Sequence, residues 1–159
     1  MYLGNVTIKQ STTVSQSIIG NFISSNRTDL IVVKGASKLE LIQIENSSNQ
    51  IKYEILISLE TFSHIRRIEK MKDTYTQKDN IVVLSDSGKL IILEVDIDKK
   101  KFIRTTQEIY GKSGCRRITP GEYLAIDNKS RAIMIGGIEK EKFVYIFKEL
   151  TILMILIEK

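Results

Sequence analysis

The chain repeats a pattern of short strands at intervals of about fifty residues, and this repeat limits its fold more than any other feature. Residues 29–33, a polar turn and residues 38–44 return as residues 79–83, a turn containing Gly88, and residues 89–95. A less similar third copy comprises residues 132–137 and 142–147. Four-stranded units of about 40 to 50 residues are typical of β-propeller blades. The sequence therefore predicts an all-β fold built from about three such blades.

The number of blades is too small for a closed ring, because propellers contain about four to eight. We expect an incomplete β-propeller that supplies about three four-stranded blades of a seven-bladed ring. Residues 1–147 are predicted to form this partial N-terminal propeller, and residues 148–159 a divergent apolar tail. The apolar run 151–157 is far shorter than the ~20 residues that span a bilayer, so no membrane contact is expected. We interpret this run as either a buried strand or an anomalous end.

Alternation of apolar and polar residues between turn residues predicts the individual strands. No segment has helical periodicity over ten or more residues. A strand at residues 2–9 precedes the first complete repeat, and the third blade is predicted to begin at residues 115–118 and to continue at 123–126. The strands of the first two blades are predicted at residues 17–23, 30–33, 39–44, 51–59, 64–70, 81–84, 90–95 and 102–109.

Histidine and cysteine are too scarce for most hydrolytic or metal chemistry. A nucleophilic triad needs a nucleophile, a base and a group that orients the base, but His64 and Cys115 are the only residues of their types. They occupy matching positions of adjacent repeats and therefore different blades. A zinc site needs several such ligands. We expect no catalytic residue, no metal, no cofactor and no small-molecule substrate, and the single cysteine fits a reducing compartment.

Basic residues exceed acidic ones, 24 to 19, which gives a formal charge of +5. One cluster is Lys99-Lys100-Lys101 in a predicted hairpin loop, and another comprises Arg66, Arg67, Lys70 and Lys72. Such clusters bind phosphate backbones by releasing counterions. Exposed lysines also protect strand edges and keep a sheet soluble. The sequence leaves both interpretations open and favours an ordinary solvated surface.

Arg116 and Arg117 are the candidate partner-binding residues. Neighbouring residues of a strand point to opposite faces of its sheet, so one of the two arginines can face a partner. A guanidinium group binds a carboxylate or phosphate through two parallel hydrogen bonds. The alternative is an ion pair within the chain that ties two blades together.

Residues 107–147 carry a family resemblance. This run, which includes Gly-Lys-Ser-Gly-Cys-Arg-Arg at 111–117, closely resembles the N-terminal propeller of the splicing factor 3b subunit 3 family. Residues 2–7 and 85–94 add further matches, and the resemblance ends after Phe147. The wider family includes the large damaged-DNA-binding adaptor of cullin ubiquitin ligases and the large subunit of the cleavage and polyadenylation specificity factor.

The resemblance implies a non-catalytic scaffold subunit of the splicing factor 3b complex, in the U2 small nuclear ribonucleoprotein. It implies a nuclear location and a role in pre-mRNA splicing. The implied partners are the HEAT-repeat, zinc-finger and small subunits of the complex, with only weak or indirect contact with RNA. Two alternative functions are a nucleic-acid-binding propeller and an adaptor of a cullin ubiquitin ligase.

Overall fold

The computed structural model describes residues 12–47, 50–61, 63–110, 123–136, 142–148 and 151–157. Within these ranges the regular structure consists of strands, and none of it is helical. Three antiparallel four-stranded sheets follow one another along the chain, and each sheet keeps its strands in chain order. The strands are β1 Val14–Gly20, β2 Asp29–Lys34, β3 Lys38–Ser47, β4 Gln50–Glu60, β5 Ile65–Lys72, β6 Asp79–Ser85, β7 Lys89–Asp96, β8 Lys101–Ile109, β9 Tyr123–Ile126, β10 Ala132–Gly136, β11 Lys142–Lys148 and β12 Thr151–Ile157.

Sequential antiparallel strands in groups of four are the blade architecture of a propeller. We call β1–β4, β5–β8 and β9–β12 blades 1, 2 and 3. The first strands of neighbouring blades contact each other, with β5 between β1 and β9. We therefore call β1, β5 and β9 the inner strands, and β4, β8 and β12 the outer strands. The prediction of an all-β, incomplete propeller is confirmed.

The sequence repeat extends to irregularities of the backbone. The pairing of β1 with β2 shifts register between Val14 and Gln16, and the pairing of β5 with β6 shifts between Ile65 and Arg67. The hairpins β2–β3 and β6–β7 turn at Gly35 and Gly88, whose φ angles are 60° and 71°. Glycine adopts this left-handed conformation without a steric penalty. Blades 1 and 2 are thus copies in detail as well as in outline.

The hydrophobic core lies between blades. One cluster fills the space between blades 1 and 2, and a second fills the space between blades 2 and 3. Strand β6 supplies both, because successive side chains point to opposite faces: Ile81 and Val83 enter the first cluster, and Val82 and Leu84 enter the second. Blade 2 is therefore apolar on both faces, which explains its uninterrupted apolar run.

One predicted strand boundary was inaccurate, and one predicted strand is not tested by the structure. The first strand of blade 1 ends at Gly20, not at residue 23. Phe22 suggested a longer strand because it is apolar, but it lies in the following loop and buries its ring completely in the first core cluster. The strand predicted at 115–118 lies outside the described residues, and the strand predicted at 123–126 is the inner strand β9.

The apolar run 151–157 is a strand, as one of the two interpretations proposed. It pairs with β11 from Thr151 opposite Lys148 to Ile157 opposite Lys142, and so provides the fourth strand of blade 3. The prediction that this strand is buried was wrong, since Ile152, Leu153, Met154 and Ile155 are exposed. Among the described strands β12 is the last of its sheet, and its apolar composition did not ensure burial. The domain division at residue 147 stays a prediction.

Candidate functional site

A groove follows the inner strand β5, between β1 on one side and β9 on the other. It consists of two adjoining cavities of about 840 and 400 Å³, which share Glu69 and Leu124 as lining residues. We call these two cavities together the inner groove. Its lining residues are Gln16, Ser17, Ile18, Asn21, Ser25, Arg67, Ile68, Glu69, Lys70, Lys72, Gln77, Asp79, Tyr123, Leu124, Ala125, Ile126, Asp127, Asn128 and Ser130.

The side chain of Gln16 fixes the distance between β1 and β5. Its Nε2 donates to the carbonyl oxygen of Arg66 at 2.8 Å, and its Oε1 accepts from the backbone N–H of Ile68 at 3.1 Å. The amide thus imitates a strand neighbour by offering one donor and one acceptor. Lys70 adds a second link, because its Nζ donates to the carbonyl oxygen of Ile19 at 2.8 Å.

A buried carboxylate closes one end of the boundary between blades 1 and 2. Asp79 accepts from the backbone N–H of Asn21 at 2.8 Å, and the Asp79 N–H donates to the Asn21 carbonyl oxygen at 2.9 Å. Gly20 leaves room for this contact, since a Cβ there would lie 2.7 Å from Oδ2 of Asp79. Asp29 occupies the matching position of blade 1 and pairs with Arg27 at 2.8 Å. Both carboxylates are thus engaged in contacts within the fold.

The charged side chains of the inner groove are balanced between the two signs. Arg67, Lys70 and Lys72 are basic, whereas Glu69, Asp79 and Asp127 are acidic. Asp127 accepts from Nε and Nη2 of Arg131 at 2.6 and 3.2 Å, and these hydrogen bonds lower the pKa of the Asp127 carboxyl group. A surface of mixed sign suits the donors and acceptors of a polypeptide better than the uniform negative charge of a nucleic-acid backbone.

Tyrosines pack between blades 2 and 3, away from solvent. The rings of Tyr110 and Phe143 lie 5.6 Å apart, and Tyr145 is fully buried. Burial raises the pKa of Tyr145 to about 12 and also raises the pKa of Tyr110. Both phenols are therefore protonated at neutral pH and act as part of the core.

Of the candidate residues predicted from the sequence, His64 is described and does not line the inner groove. Arg116, Arg117 and Cys115 lie outside the described residues. His64 is exposed at the start of β5, where its backbone N–H donates to Asp86 at 3.0 Å. Across the described ranges, no group of three or more metal-binding side chains was found. In the same ranges, no helix has the length and apolar character needed to cross a membrane.

The basic hairpin between β7 and β8 contributes no lining residue to the inner groove. Its turn comprises residues 97–100, so Lys99 and Lys100 lie in the loop as the sequence predicted, whereas Lys101 is the first residue of β8. The Nζ of Lys99 lies 3.0 Å from Oδ2 of Asp96, and this hydrogen bond raises the pKa of Lys99. Part of the positive charge is thus neutralised within the hairpin itself.

Sequence reasoning did not identify Gln16, Asn21, Tyr123 or Asp127 as residues of a site. They are ordinary polar or aromatic residues, and no motif joins them. Their proximity arises because three inner strands, more than fifty residues apart at the extremes, lie side by side. The repeat is the one feature of the sequence that could have found them, since it places β1, β5 and β9 at equivalent positions of successive blades.

Comparison with known proteins agrees with this architecture. A family model described as the RSE1/DDB1/CPSF1 first beta-propeller matches residues 13–152. Probable splicing factor 3B subunit 3 of Dictyostelium discoideum is 45% identical over 146 residues, which cover 92% of this chain and 11% of the relative. Splicing factor 3B subunit 3 of Drosophila melanogaster is 43% identical over 151 residues, covering 95% of this chain and 12% of the relative.

A fungal relative extends the comparison. Pre-mRNA-splicing factor RSE1 of Debaryomyces hansenii is 42% identical over 145 residues, which cover 91% of this chain and 11% of the relative. The chain thus spans about a ninth of the length of these curated relatives. Strand order, blade repeat and similarity over most of the sequence lead to one conclusion: the chain belongs to the RSE1/DDB1/CPSF1 first beta-propeller family.

Proposed function

We propose that this chain is a non-catalytic scaffold segment of the splicing factor 3b complex, in the U2 small nuclear ribonucleoprotein. It acts in pre-mRNA splicing in the nucleus, through contacts with other proteins. The support is its similarity, at 42–45% identity, to proteins named as splicing factor 3B subunit 3 and as a pre-mRNA-splicing factor. These names favour splicing over the alternative role as an adaptor of a cullin ligase.

The observation that carries a protein-binding role is the inner groove. It is open, lies across three blades and combines three acidic with three basic side chains. Two of the acidic side chains, Asp79 and Asp127, are held in place by hydrogen bonds within the chain. The groove therefore offers a preorganised surface and not a reactive one. Preorganised mixed-charge surfaces favour specific protein partners, because less conformational entropy is lost on binding.

The proposed partners are the HEAT-repeat, zinc-finger and small subunits of splicing factor 3b. Arg116 and Arg117 remain candidate partner-binding residues, since their segment follows Tyr110 directly and precedes β9, whose residues Tyr123 and Leu124 line the inner groove. A guanidinium group in that segment would add a planar site for a partner carboxylate.

Co-purification tests this proposal. The tagged full chain, added to nuclear extract, is recovered and its bound proteins are identified by mass spectrometry. We expect splicing factor 3b subunits to be recovered, and to be depleted by the double change Arg116→Glu and Arg117→Glu. Nuclease treatment should leave their recovery unchanged. Recovery equal to that of an unrelated β-protein would contradict the scaffold role. Loss of the subunits after nuclease treatment would show that RNA, and not direct protein contact, joins the chain to them.

A further inference from the structure

The outer strand of blade 3 differs from the other two outer strands. Strand β4 contains Lys52, Glu54 and Glu60, and strand β8 contains Lys101, Arg104 and Glu108 among its charged residues. Strand β12 has the sequence Thr-Ile-Leu-Met-Ile-Leu-Ile and no charged residue, proline or glycine. Charged residues on an edge strand discourage pairing with another chain. Blades 1 and 2 have this protection, and blade 3 does not.

Apolar side chains of β12 are exposed on both faces of its sheet. Met154 and Ile152 lie opposite Tyr145 and Phe147, on the face toward blade 2, and have exposed fractions of 49% and 38%. Leu153 and Ile155 lie on the other face and have exposed fractions of 53% and 41%. Among the described strands, β12 pairs with β11 alone. One edge of its backbone therefore has no partner among them.

We propose that β12 is a self-association edge, on which a second copy of this chain pairs its own β12 in antiparallel orientation. Two blades 3 then form one continuous eight-stranded sheet. The arrangement has twofold symmetry, so both copies use the same surface and the assembly closes as a dimer. The backbone supplies the hydrogen bonds, and the exposed aliphatic side chains of the two strands cover each other.

The composition of β12 selects a second copy as the occupant. Around Met154, the sequence places Ile152 opposite Leu156 of the other strand, and Leu153 opposite Ile155. Both pairs are aliphatic, Thr151 lies opposite Ile157 at the ends, and no like charges meet. Pairing of β4 or β8 with itself brings charged side chains into the new sheet, which is unfavourable when like charges are opposite. A charged peptide, by contrast, finds no counter-charge on β12.

Sedimentation velocity over a concentration series tests the proposal. The chain has a mass of 18.2 kDa, and we expect the measured mass to rise with concentration to twice that value and then to stay constant. A mass that remains at the monomer value contradicts the proposal. A mass that continues to rise also contradicts it, because open-ended association is not a closed dimer.

Charge reversal identifies the strand that mediates the dimer. We expect the double variants Leu153→Lys with Ile155→Lys, and Leu153→Glu with Ile155→Glu, each to weaken dimerisation at least tenfold. A mixture of the two variants should restore a dimer, because antiparallel pairing places lysine opposite glutamate. Failure of the mixture to associate overturns the proposal. If β12 instead binds a different surface of the second copy, the mixture should also fail to associate. That surface is the same in both variants and provides no charge opposite to that of the changed strand.

Blade 1 offers a matched control. Tyr53 and Ile55 are exposed apolar residues of the outer strand β4, with exposed fractions of 72% and 42%. Tyr53→Lys with Ile55→Lys should leave the dimer intact, and loss of the dimer in this control overturns the proposal. Amide hydrogen exchange of the unchanged chain gives a second readout. Protection in β12 should increase with protein concentration, whereas protection in β4 and β8 should not.

Discussion

Side chains that bond to the backbone of a neighbouring blade hold the inner strands in place. Gln16, Lys70 and Asp79 all make such bonds across the boundary between blades 1 and 2. Each bond satisfies a backbone group on an inner strand or in the loop that follows it. These bonds act together with the first core cluster to hold blades 1 and 2 beside each other.

Replacement of Gln16 tests this role. The variant Gln16→Leu loses both amide bonds to β5, and we expect a decrease of about 1–2 kcal/mol in the free energy of unfolding. Urea denaturation measures the change. Gln107 is an exposed residue of β8, and its side chain accepts from Arg104 of the same strand. We expect Gln107→Leu to lower the free energy of unfolding by less than half as much as Gln16→Leu. Equal effects at the two positions would show that Gln16 does not join the blades.

Glu40 provides a pH-dependent contribution to stability. It is buried in β3, and its carboxylate lies 2.7 Å from Nζ of Lys34 and 3.0 Å from Nζ of Lys38. Burial acts to raise the pKa of Glu40, but the hydrogen bonds and positive charges of the two lysines outweigh burial and lower it. The stabilisation is complete above the ordinary pKa of 4.5 and is lost as the pH falls through the lower folded-state pKa.

The variant Glu40→Gln should therefore be less stable at neutral pH, by roughly 1–3 kcal/mol, because the two ammonium groups lose their carboxylate. Its stability should also decrease less than that of the unchanged chain when the pH is lowered below 4.5. Thermal unfolding over a pH series measures both effects. Glu54→Gln, at an exposed position of β4, is the control. Parallel pH profiles for Glu40→Gln and the unchanged chain would contradict the assignment.

At the scale of the strands, blade 2 contributes most of the core. Leu84 is fully buried in the cluster between blades 2 and 3, whereas Ile44 of β3 has an exposed fraction of 52%. We expect Leu84→Ala to lower the free energy of unfolding by about 2–4 kcal/mol, because it leaves a cavity. Ile44→Ala should cost less than about 1 kcal/mol. Chemical denaturation measures the free energy of unfolding of both variants. Similar decreases for the two would contradict the described packing.

The basic hairpin is expected to bind RNA weakly or not at all, because Lys99 pairs with Asp96 and the hairpin is no part of the inner groove. The variant with Lys99, Lys100 and Lys101 all changed to glutamate should retain its protein partners. Filter binding with a single-stranded RNA at several salt concentrations measures the remaining interaction. Strong binding that weakens steeply with salt and disappears in the variant would support the nucleic-acid alternative instead.

Strand positions were predictable where the repeat is regular. The second and third strands of blades 1 and 2 combine β-branched residues with a glycine turn, and their predicted centres agree with β2, β3, β6 and β7. The boundaries failed where an apolar residue serves a loop, as Phe22 does. The prediction that β12 is buried failed because apolar composition does not reveal whether another strand covers an outer edge. The inner groove was not predicted because its residues are brought together only by the tertiary structure.

In the molecule as a whole, the described residues form a row of three blades with a groove along the inner strands. The spaces between neighbouring blades are filled by side chains from both blades, so each boundary is a core as well as a contact. Binding groups on such a support are held at fixed distances from one another. This rigidity is the physical basis for the proposed scaffold function.

Crosslinking mass spectrometry of the tagged chain bound to splicing factor 3b is the most direct test of that function. Lys70 and Lys72 line the inner groove and carry amines that a crosslinker can modify. We expect crosslinks from these two lysines to other splicing factor 3b subunits, and fewer from Lys100 in the β7–β8 hairpin. Crosslinks confined to that hairpin, or none to any subunit of the complex, would contradict the scaffold function.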